Sequence, residues 1–331
     1  MKALILAGGY GTRLRPLTYT RPKHMLPIAN RPHIEHVFDL LMRHGIYEAG
    51  LLTSYLADAF SDVIARAAGA GMTIETTFEE RPLGTAGAFK NAQGLVGDDT
   101  FVAFNGDILT DLDLTSVLEW HRSKQAEATI VLHAVEDPSA FGVVPTDDDG
   151  RVLGFIEKPP RDEAPTNLIN AGVYVFEPSI LDRIPAGEVW SAERQLFPQL
   201  VEEGAALFAL GTDAYWMDIG TPEKYLQANL DALAGAYQLP DLTTDARSCL
   251  LARDVDVSPG ASVTRSCLGP RCVVGETAVV EDSVLLDGVT VEPGALVRRS
   301  VVGAGVVVRN GAHVEEEALA DGEVAGAGAA S

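Results

Sequence analysis

Residues 1–34 read MKALILAGGYGTRLRPLTYTRPKHMLPIANRPHI, and they decide the fold of the first part of the chain. Ala3-Leu4-Ile5-Leu6-Ala7 is a short apolar run stopped by Gly8-Gly9, the pattern of a strand buried in a parallel sheet. Gly8, Gly9 and Gly11 let the backbone come close to a ligand, and successive amides turned into one concavity make an anion site. The same window holds six basic side chains, Lys2, Arg13, Arg15, Arg21, Lys23 and Arg31, and no acidic one, in a chain of net charge −22. An acidic surface repels a polyphosphate unless cations are gathered locally, so the window reads as a polyphosphate site. Two familiar phosphate motifs do not fit: the dinucleotide fingerprint needs a glycine where Leu14 stands, and the Gly-Lys-Ser/Thr of a P-loop is absent.

Outward from this loop, short β-rich runs alternate with helix-like stretches as far as about Leu233. Leu51–Thr53, Thr73–Thr76, Thr100–Phe104 and Ala128–Leu132 read as strands, and Ile34–His44 and Leu114–Ser123 as helices. Such alternation implies an α/β domain with a mostly parallel sheet, in which ligands sit beyond the carboxyl ends of the strands. The Gly8 loop and Asn105-Gly106-Asp107 both follow expected strands, which puts them on that rim.

From about Val257 the character changes. An aliphatic residue recurs at Val257, Val263, Leu268, Val274, Val280, Leu285, Val291, Val297, Val302, Val308 and Val314, and every third step closes a repeat of 17 residues. Val263, Val280, Val297 and Val314 form one column, Leu268, Leu285 and Val302 another. Gly260, Gly288, Gly294, Gly305 and Gly311 mark turns. A hexapeptide-like period with stacked aliphatics indicates a parallel β-helix of about four coils. The expected domains are residues 1–240 and 250–331, with Asp241–Asp254 as linker. His313, alone on this repeat, reads as incidental.

The 331 residues, 47% of them apolar, can bury a large core. No apolar run is long enough to span a membrane, and the apolar stretch after Met1-Lys2 is too short for a secretory signal. Strong net acidity argues against general nucleic-acid binding. Cys249, Cys267 and Cys272 lack metal-ligand spacing and read as free thiols in a reducing cytoplasm.

Taken with Thr12-Arg13-Leu14-Arg15-Pro16-Leu17-Thr18 and Pro22-Lys23, the glycine loop resembles the signature of the sugar-1-phosphate nucleotidylyltransferases, and most of all their GDP-mannose pyrophosphorylase branch. Further landmarks follow in the family's order: Pro82-Leu83-Gly84-Thr85-Ala86-Gly87, Asn105-Gly106-Asp107, Phe141–Val144, Glu157-Lys158-Pro159, Asn170–Tyr174 and Trp216–Thr221. The resemblance implies a Rossmann-like nucleotidyltransferase domain followed by a left-handed β-helix, and a reaction between a nucleoside triphosphate and a sugar 1-phosphate that releases pyrophosphate. The attacking phosphate is already an anion, so positioning and electrostatics suffice and no general base is needed. Arg13 would fork across phosphate oxygens and Lys23 act as a point charge. Arg15 and Arg21 read equally well as phosphate contacts or as structural arginines.

The resemblance further implies Mg2+ held by Asp107 and Asp218, and magnesium favours one or two carboxylates completed by water and phosphate. Leu6, Gly8, Gly9, Gly11, Thr12, Arg13, Glu79, Gly84 and Thr85 are implied for the nucleotide, and Gly142, Glu157, Lys158, Asn170 and Gly172 for the sugar phosphate. Glu79 falls where the family reads the base. A carboxylate accepts from the two adjacent donors of guanine and faces an unfavourable oxygen in uracil or thymine, which favours GTP, and with it mannose 1-phosphate. A dTTP- or UTP-dependent glucose-1-phosphate enzyme and a non-catalytic regulatory subunit are the alternatives. Asp111 and Asp113 superficially match the Asp-x-Asp of some glycosyltransferases, but both read more readily as caps of the helix that starts near Leu114. The partners expected are the two substrates and further copies of the chain, with no nucleic acid and no membrane.

Overall fold

The computed structural model describes residues 1–326 apart from 55, 240, 241 and 246. The chain forms two compact units, one of Met1–Gly9 with Ile34–Trp216, the other of Tyr10–His33 with Met217 onward. The spatial grouping thus differs from the division by chain order, because the basic loop joins the later residues. Asp241 and Ala246 of the expected linker lie outside the described residues, and Leu250–Leu251, within its span, already pairs in parallel with Cys267–Leu268.

The first unit is built on a nine-stranded sheet. At its centre, Lys2–Leu6 pairs in parallel with Glu48–Thr53 on one side and Phe101–Asn105 on the other. Both faces of these strands are covered, which is why they read as near-continuous apolar runs. Thr73–Phe78 adds a parallel edge outside Glu48–Thr53, and its Thr and Glu side chains suit the exposure of an edge. Beyond Phe101–Asn105 the direction reverses. Leu168–Phe176 runs antiparallel to it and to Ala128–Ala134, which in turn pairs in parallel with Leu207–Thr212. The strands expected from the sequence are all present, and the helices lie at His33–Arg43 and Leu114–Ser123.

One face of the sheet packs on Phe89, Phe101, Tyr174, Phe176 and Phe197, all buried. Tyr174 stacks on Phe176 with ring centroids 5.5 Å apart, and Phe101 meets the same ring at 5.6 Å. Burying each such side chain is worth about 1.5–3 kcal/mol, so this aromatic layer supplies much of the adhesion of the Gly84–Asn91 and Phe197–Glu202 helices to the sheet.

Asp113 caps the Leu114–Ser123 helix. Its carboxylate accepts from the amides of Thr115 at 3.0 Å and Ser116 at 3.3 Å, and from the Ser116 hydroxyl. Asp111, expected to share in this capping, does not: its carboxylate instead accepts from the distant Tyr215 amide at 2.8 Å. The two aspartates of the Asp-x-Asp pattern therefore serve backbone amides.

In the second unit three columns of short parallel strands stack at a 17-residue step, two of five strands and one of four. Val263, Val280, Val297 and Val314 are in register in one column, and Leu268, Leu285 and Val302 in another, as the periodicity requires. The coils close on a parallel β-helix whose interior is filled by these aliphatics. Turn glycines at 260, 288, 294, 305 and 311 all have positive φ. The corner at Arg265, Asp282, Arg299 and Glu316 adopts the same left-handed backbone without glycine. Behind it runs a ladder of buried serines: the amides of Ser283, Ser300 and Glu317 donate to the hydroxyls of Ser266, Ser283 and Ser300 in turn, at 3.1, 3.2 and 3.1 Å. Each hydroxyl donates to the carbonyl two residues earlier, so the strained corner leaves no amide of this ladder without an acceptor. Cys249, Cys267 and Cys272 are free and buried here. Burial pushes the Cys267 thiol up to about 12 and the Cys272 thiol up to about 11.

Replacing Ser283 with Ala removes the acceptor of the Ser300 amide inside the β-helix, and should lower stability by about 1–3 kcal/mol in urea unfolding. Asp113→Ala should cost about 1 kcal/mol by loss of the cap. Hydrogen bonding from Ser116 holds the Asp113 carboxyl below its ordinary value, so the cap stabilises fully above the unfolded-state pKa. The stability difference between wild type and Asp113→Ala should shrink as pH falls through the folded-state pKa, as unfolding curves between pH 7 and pH 2 would record.

Candidate functional site

The carboxyl ends of three adjacent parallel strands put one set of groups on a common rim of the first unit. After Leu6 the chain continues beside Glu48–Thr53, with the Ala7 amide donating to Leu52 O at 2.8 Å, and then turns at Gly8-Gly9. The Gly9 amide donates to Ser54 Oγ at 3.2 Å, and a Cβ at Gly8 would stand 2.8 Å from that same oxygen. On the other side the Gly106 amide donates to Leu6 O at 3.0 Å, which holds Asn105-Gly106-Asp107 beside the first strand. Leu6, Gly8, Gly9 and the half-buried Asp107 are thus brought together.

The Asn170–Tyr174 stretch meets the same rim through a break in register of its strand. Gly172 sits at φ +74°, where a Cβ would lie 2.8 Å from Asn105 Nδ2, so both the backbone angle and the close approach require glycine. Asn170 accepts from the Gly172 amide at 3.0 Å and donates to the Tyr174 hydroxyl at 2.7 Å. Burial, then the charges of Glu193 and Asp107, push the Tyr174 phenol well above its ordinary value and keep it a neutral fixed point for the two asparagines. Asn105 Oδ1 is buried without a hydrogen-bond partner.

The remaining residues expected to meet the sugar phosphate lie on a short hairpin next to this strand. Gly142 pairs with Glu157, and the neighbouring Val143 pairs with Ile169. A Cβ at Gly142 would collide with the Phe155 ring at 2.5 Å and come within 3.2 Å of Glu157 Oε2. Lys158 Nζ stands 3.7 Å from Glu157 Oε1 and is exposed. Trp216 closes the group: its Nε1 donates to Ala171 O at 2.9 Å, His133 stacks on it at 5.4 Å, and Phe141 meets it edge-on at 5.5 Å.

Glu79 follows the edge strand, anchored by its amide to Thr53 O at 2.9 Å. Its Oε2 accepts from the Leu83 amide at 3.3 Å, while Oε1 is buried with no hydrogen-bond partner. Desolvation pushes this carboxyl above its ordinary value, against the pull of the Leu83 amide. Gly84, at φ +76°, leaves room for Trp190 O, which a Cβ would approach to 2.8 Å. Thr85 Oγ1 is occupied by the protein itself, donating to Glu193 at 2.8 Å and accepting from the Ala192 amide at 2.7 Å.

The second unit carries the other set. Gly11, at φ +57°, begins a tight knot in which its carbonyl accepts from the Leu14 amide at 2.9 Å and from Thr18 Oγ1 at 2.8 Å. A Cβ there would lie 3.1 Å from Thr18 and 3.3 Å from the Lys23 Cβ, so the knot packs Lys23 against the glycine turn. Thr12 and Arg13 lie in the short helical turn Thr12–Leu14, exposed. The Arg13 guanidinium rests on Gly220, where a Cβ would come within 2.9 Å of it. Gly220 donates its amide to Asp218 O at 2.9 Å, and Lys224 Nζ stands 3.5 Å from the Asp218 carboxylate. Arg13, Gly220, Asp218 and Lys224 are therefore neighbours. Arg15 lies over the Tyr19 ring, 5.3 Å from its centroid, and Arg21 is ion-paired with Asp321.

The sequence assigns no role to Ser54, Glu193 or Lys224, nor to Tyr174 and Trp216, although the last two fall inside the landmark stretches. Tyr174 and Trp216 look like core aromatics in a linear reading, and nothing in the spacing marks Ser54, Glu193 or Lys224. Among the described residues no three His, Cys, Asp or Glu side chains gather as a metal site. Single half-buried carboxylates at Asp107 and Asp218 are hard oxygen donors that suit a divalent cation whose other ligands are water and phosphate.

Residues 2–235 match the nucleotidyl transferase family, and residues 238–325 match the GlmU-like C-terminal hexapeptide family. A mannose-1-phosphate guanylyltransferase of Mycobacterium tuberculosis is 40% identical over 288 residues, covering 86% of this chain and 80% of the relative. A UTP–glucose-1-phosphate uridylyltransferase of Synechocystis is 36% identical over 322 residues, covering 87% and 83%. Among solved structures, HddC from Yersinia pseudotuberculosis in complex with GMP-PN aligns with a TM-score of 0.59 and 31% identity, covering 69% of this chain and 97% of that one. No helix among the described residues is long and apolar enough to cross a membrane. With a nucleotidyl transferase domain joined to a hexapeptide β-helix, the chain belongs to the nucleotidyl transferase family, whose members generally use a divalent metal, and is a sugar-1-phosphate nucleotidylyltransferase.

Proposed function

We propose that the enzyme transfers the guanylyl group of GTP to mannose 1-phosphate, releasing pyrophosphate, with Mg2+ as the metal, in the cytoplasm. The observation that carries the choice of base is Glu79, whose Oε1 is buried with no donor from the protein. Guanine offers adjacent N1–H and N2–H donors that would satisfy a carboxylate there, whereas uracil and thymine would set an oxygen against it. The guanylyltransferase named among the relatives supports the same reading.

In this reading an oxygen of the sugar phosphate attacks the α-phosphorus, and the bond to the β-phosphate oxygen breaks with its electron pair leaving on pyrophosphate. Arg13 and Lys23 bind the triphosphate and take up the charge that moves onto the leaving group, while the Gly8–Gly11 turn lets it approach the backbone closely. Asp107 and Asp218 would hold the metal, which would supply screening of the repulsion between the two anions. Leu6 and Thr12 line the nucleotide's path, and Gly84 and Thr85 shape its base end. Glu157 accepts from sugar hydroxyls and Lys158 holds the sugar phosphate, with Gly142, Asn170 and Gly172 giving the sugar its space. Lys224 keeps the Asp218 carboxylate oriented. No group here needs to remove a proton from the nucleophile.

Pyrophosphate release should be measured with Mg2+ and each pairing of GTP, UTP or dTTP with mannose or glucose 1-phosphate. GTP with mannose 1-phosphate is expected to give the highest kcat/KM, and a tenfold preference for UTP or dTTP with glucose 1-phosphate would overturn the assignment. Glu79→Gln should reduce the GTP-over-UTP ratio of kcat/KM by about tenfold, the size expected when one polar contact is mismatched. Asp218→Asn should lower kcat by about a hundredfold or more, since the metal supplies several kcal/mol of charge stabilisation.

A further inference from the structure

A carboxylate of the β-helix clamps the basic loop near the start of the chain. Asp321 lies in the turn between the strands Ala318–Leu319 and Val324–Ala325, in the last described coil. Its Oδ1 accepts from the Ala304 amide of the preceding coil at 2.7 Å. Its Oδ2 accepts from Thr20 Oγ1 and from the Arg21 guanidinium. Both partners of the ion pair are mostly buried, with side-chain exposures of 24% for Arg21 and 18% for Asp321, unlike the exposed arginine–carboxylate pairs elsewhere on the coils. The downstream end of the same loop is held as well: Tyr225 donates to Pro27 O at 2.6 Å, the Ala29 amide to Asn229 at 2.9 Å, and Asn30 to Leu268 O at 2.9 Å. Lys23 lies between these two anchorages, and Thr18 ties the loop back to Gly11.

We propose that Asp321 is a positioning residue for nucleotidyl transfer: by clamping Thr20 and Arg21 it fixes the loop that carries Arg13 and Lys23. This rests on the assignment of those two cations to the triphosphate. The loop has several cations and no carboxylate of its own, so an Arg21 left unpaired would swing toward the substrate or repel Lys23 two residues on. Asp321 removes that charge from play and leaves Lys23 aimed. The cost of burying the pair is met by three donors on one carboxylate, an arrangement that is sensitive to loss of either partner. The β-helix is then part of the catalytic apparatus, since its outermost coil sets the geometry of a loop near the start of the chain.

Steady-state kinetics of Asp321→Ala, Asp321→Asn, Thr20→Val, Arg21→Ala and the Asp321→Ala/Arg21→Ala double variant test this, with Lys23→Ala as reference and thermal unfolding as a check on the fold. Asp321→Ala should raise KM for GTP about tenfold, within the usual coupling of contacting residues, and leave KM for the sugar phosphate within twofold. Asp321→Asn should fall between it and wild type, and the double variant should be no worse than the poorer single one. An unchanged KM for GTP in folded Asp321→Asn and Thr20→Val, or additive losses in the double variant, would overturn the proposal. Were Lys23→Ala itself without effect on GTP, the assignment of the cations would fail instead, and the two failures are thereby distinguished.

Discussion

The central position of Lys2–Leu6 is the constraint on which the first unit depends. A strand flanked on both sides by parallel neighbours must end beside their ends, and each of those ends delivers a polar element. Glu48–Thr53 delivers Ser54, which takes the Gly9 amide, and Phe101–Asn105 delivers Gly106, whose amide takes Leu6 O. Because all three strands point the same way, the glycine turn, the serine and Asp107 share one rim without any long-range device. The antiparallel strand Leu168–Phe176 then contributes its Asn170–Gly172 bulge to that rim at the cost of its own register.

Electrostatics shapes the other set of groups. The chain carries 47 carboxylates against 25 lysines and arginines, so a site for two phosphorylated substrates must be kept locally cationic. The knot closed by Gly11 and Thr18 does this in a small space, and Arg13 spreads its guanidinium over Gly220, where any side chain would displace it. Arg21 shows the complementary measure, since its charge is neutralised by a carboxylate far away in the chain.

Local rules were legible in the sequence. The apolar run before Gly8, the alternation of strands and helices, the Asp113 cap and the 17-residue columns each depend on neighbours a few residues away or on a strict period, and each is found as expected. Features set by distant partners were not. Nothing in chain order assigns Tyr10–His33 to the unit of the β-helix, because the contacts that do so involve Asn229, Leu268 and Asp321. The corner at Arg265, Asp282 and Arg299 is hidden for a different reason: it lacks glycine, and the serine ladder that supports it consists of residues that look like ordinary surface polars. The hydrogen bonds of the Thr85 hydroxyl are likewise set by distant partners, Glu193 and Ala192, which its motif does not reveal.

The three cysteines give the β-helix an unplanned instrument. Buried, and with burial raising each thiol above its ordinary value, they are poor nucleophiles while that packing is closed. Any encounter with an alkylating reagent or an oxidant must wait for a coil to open. Their rate of labelling in the intact enzyme therefore times the breathing of that region, and a modified thiol, too bulky to be readmitted, would wedge the coil apart.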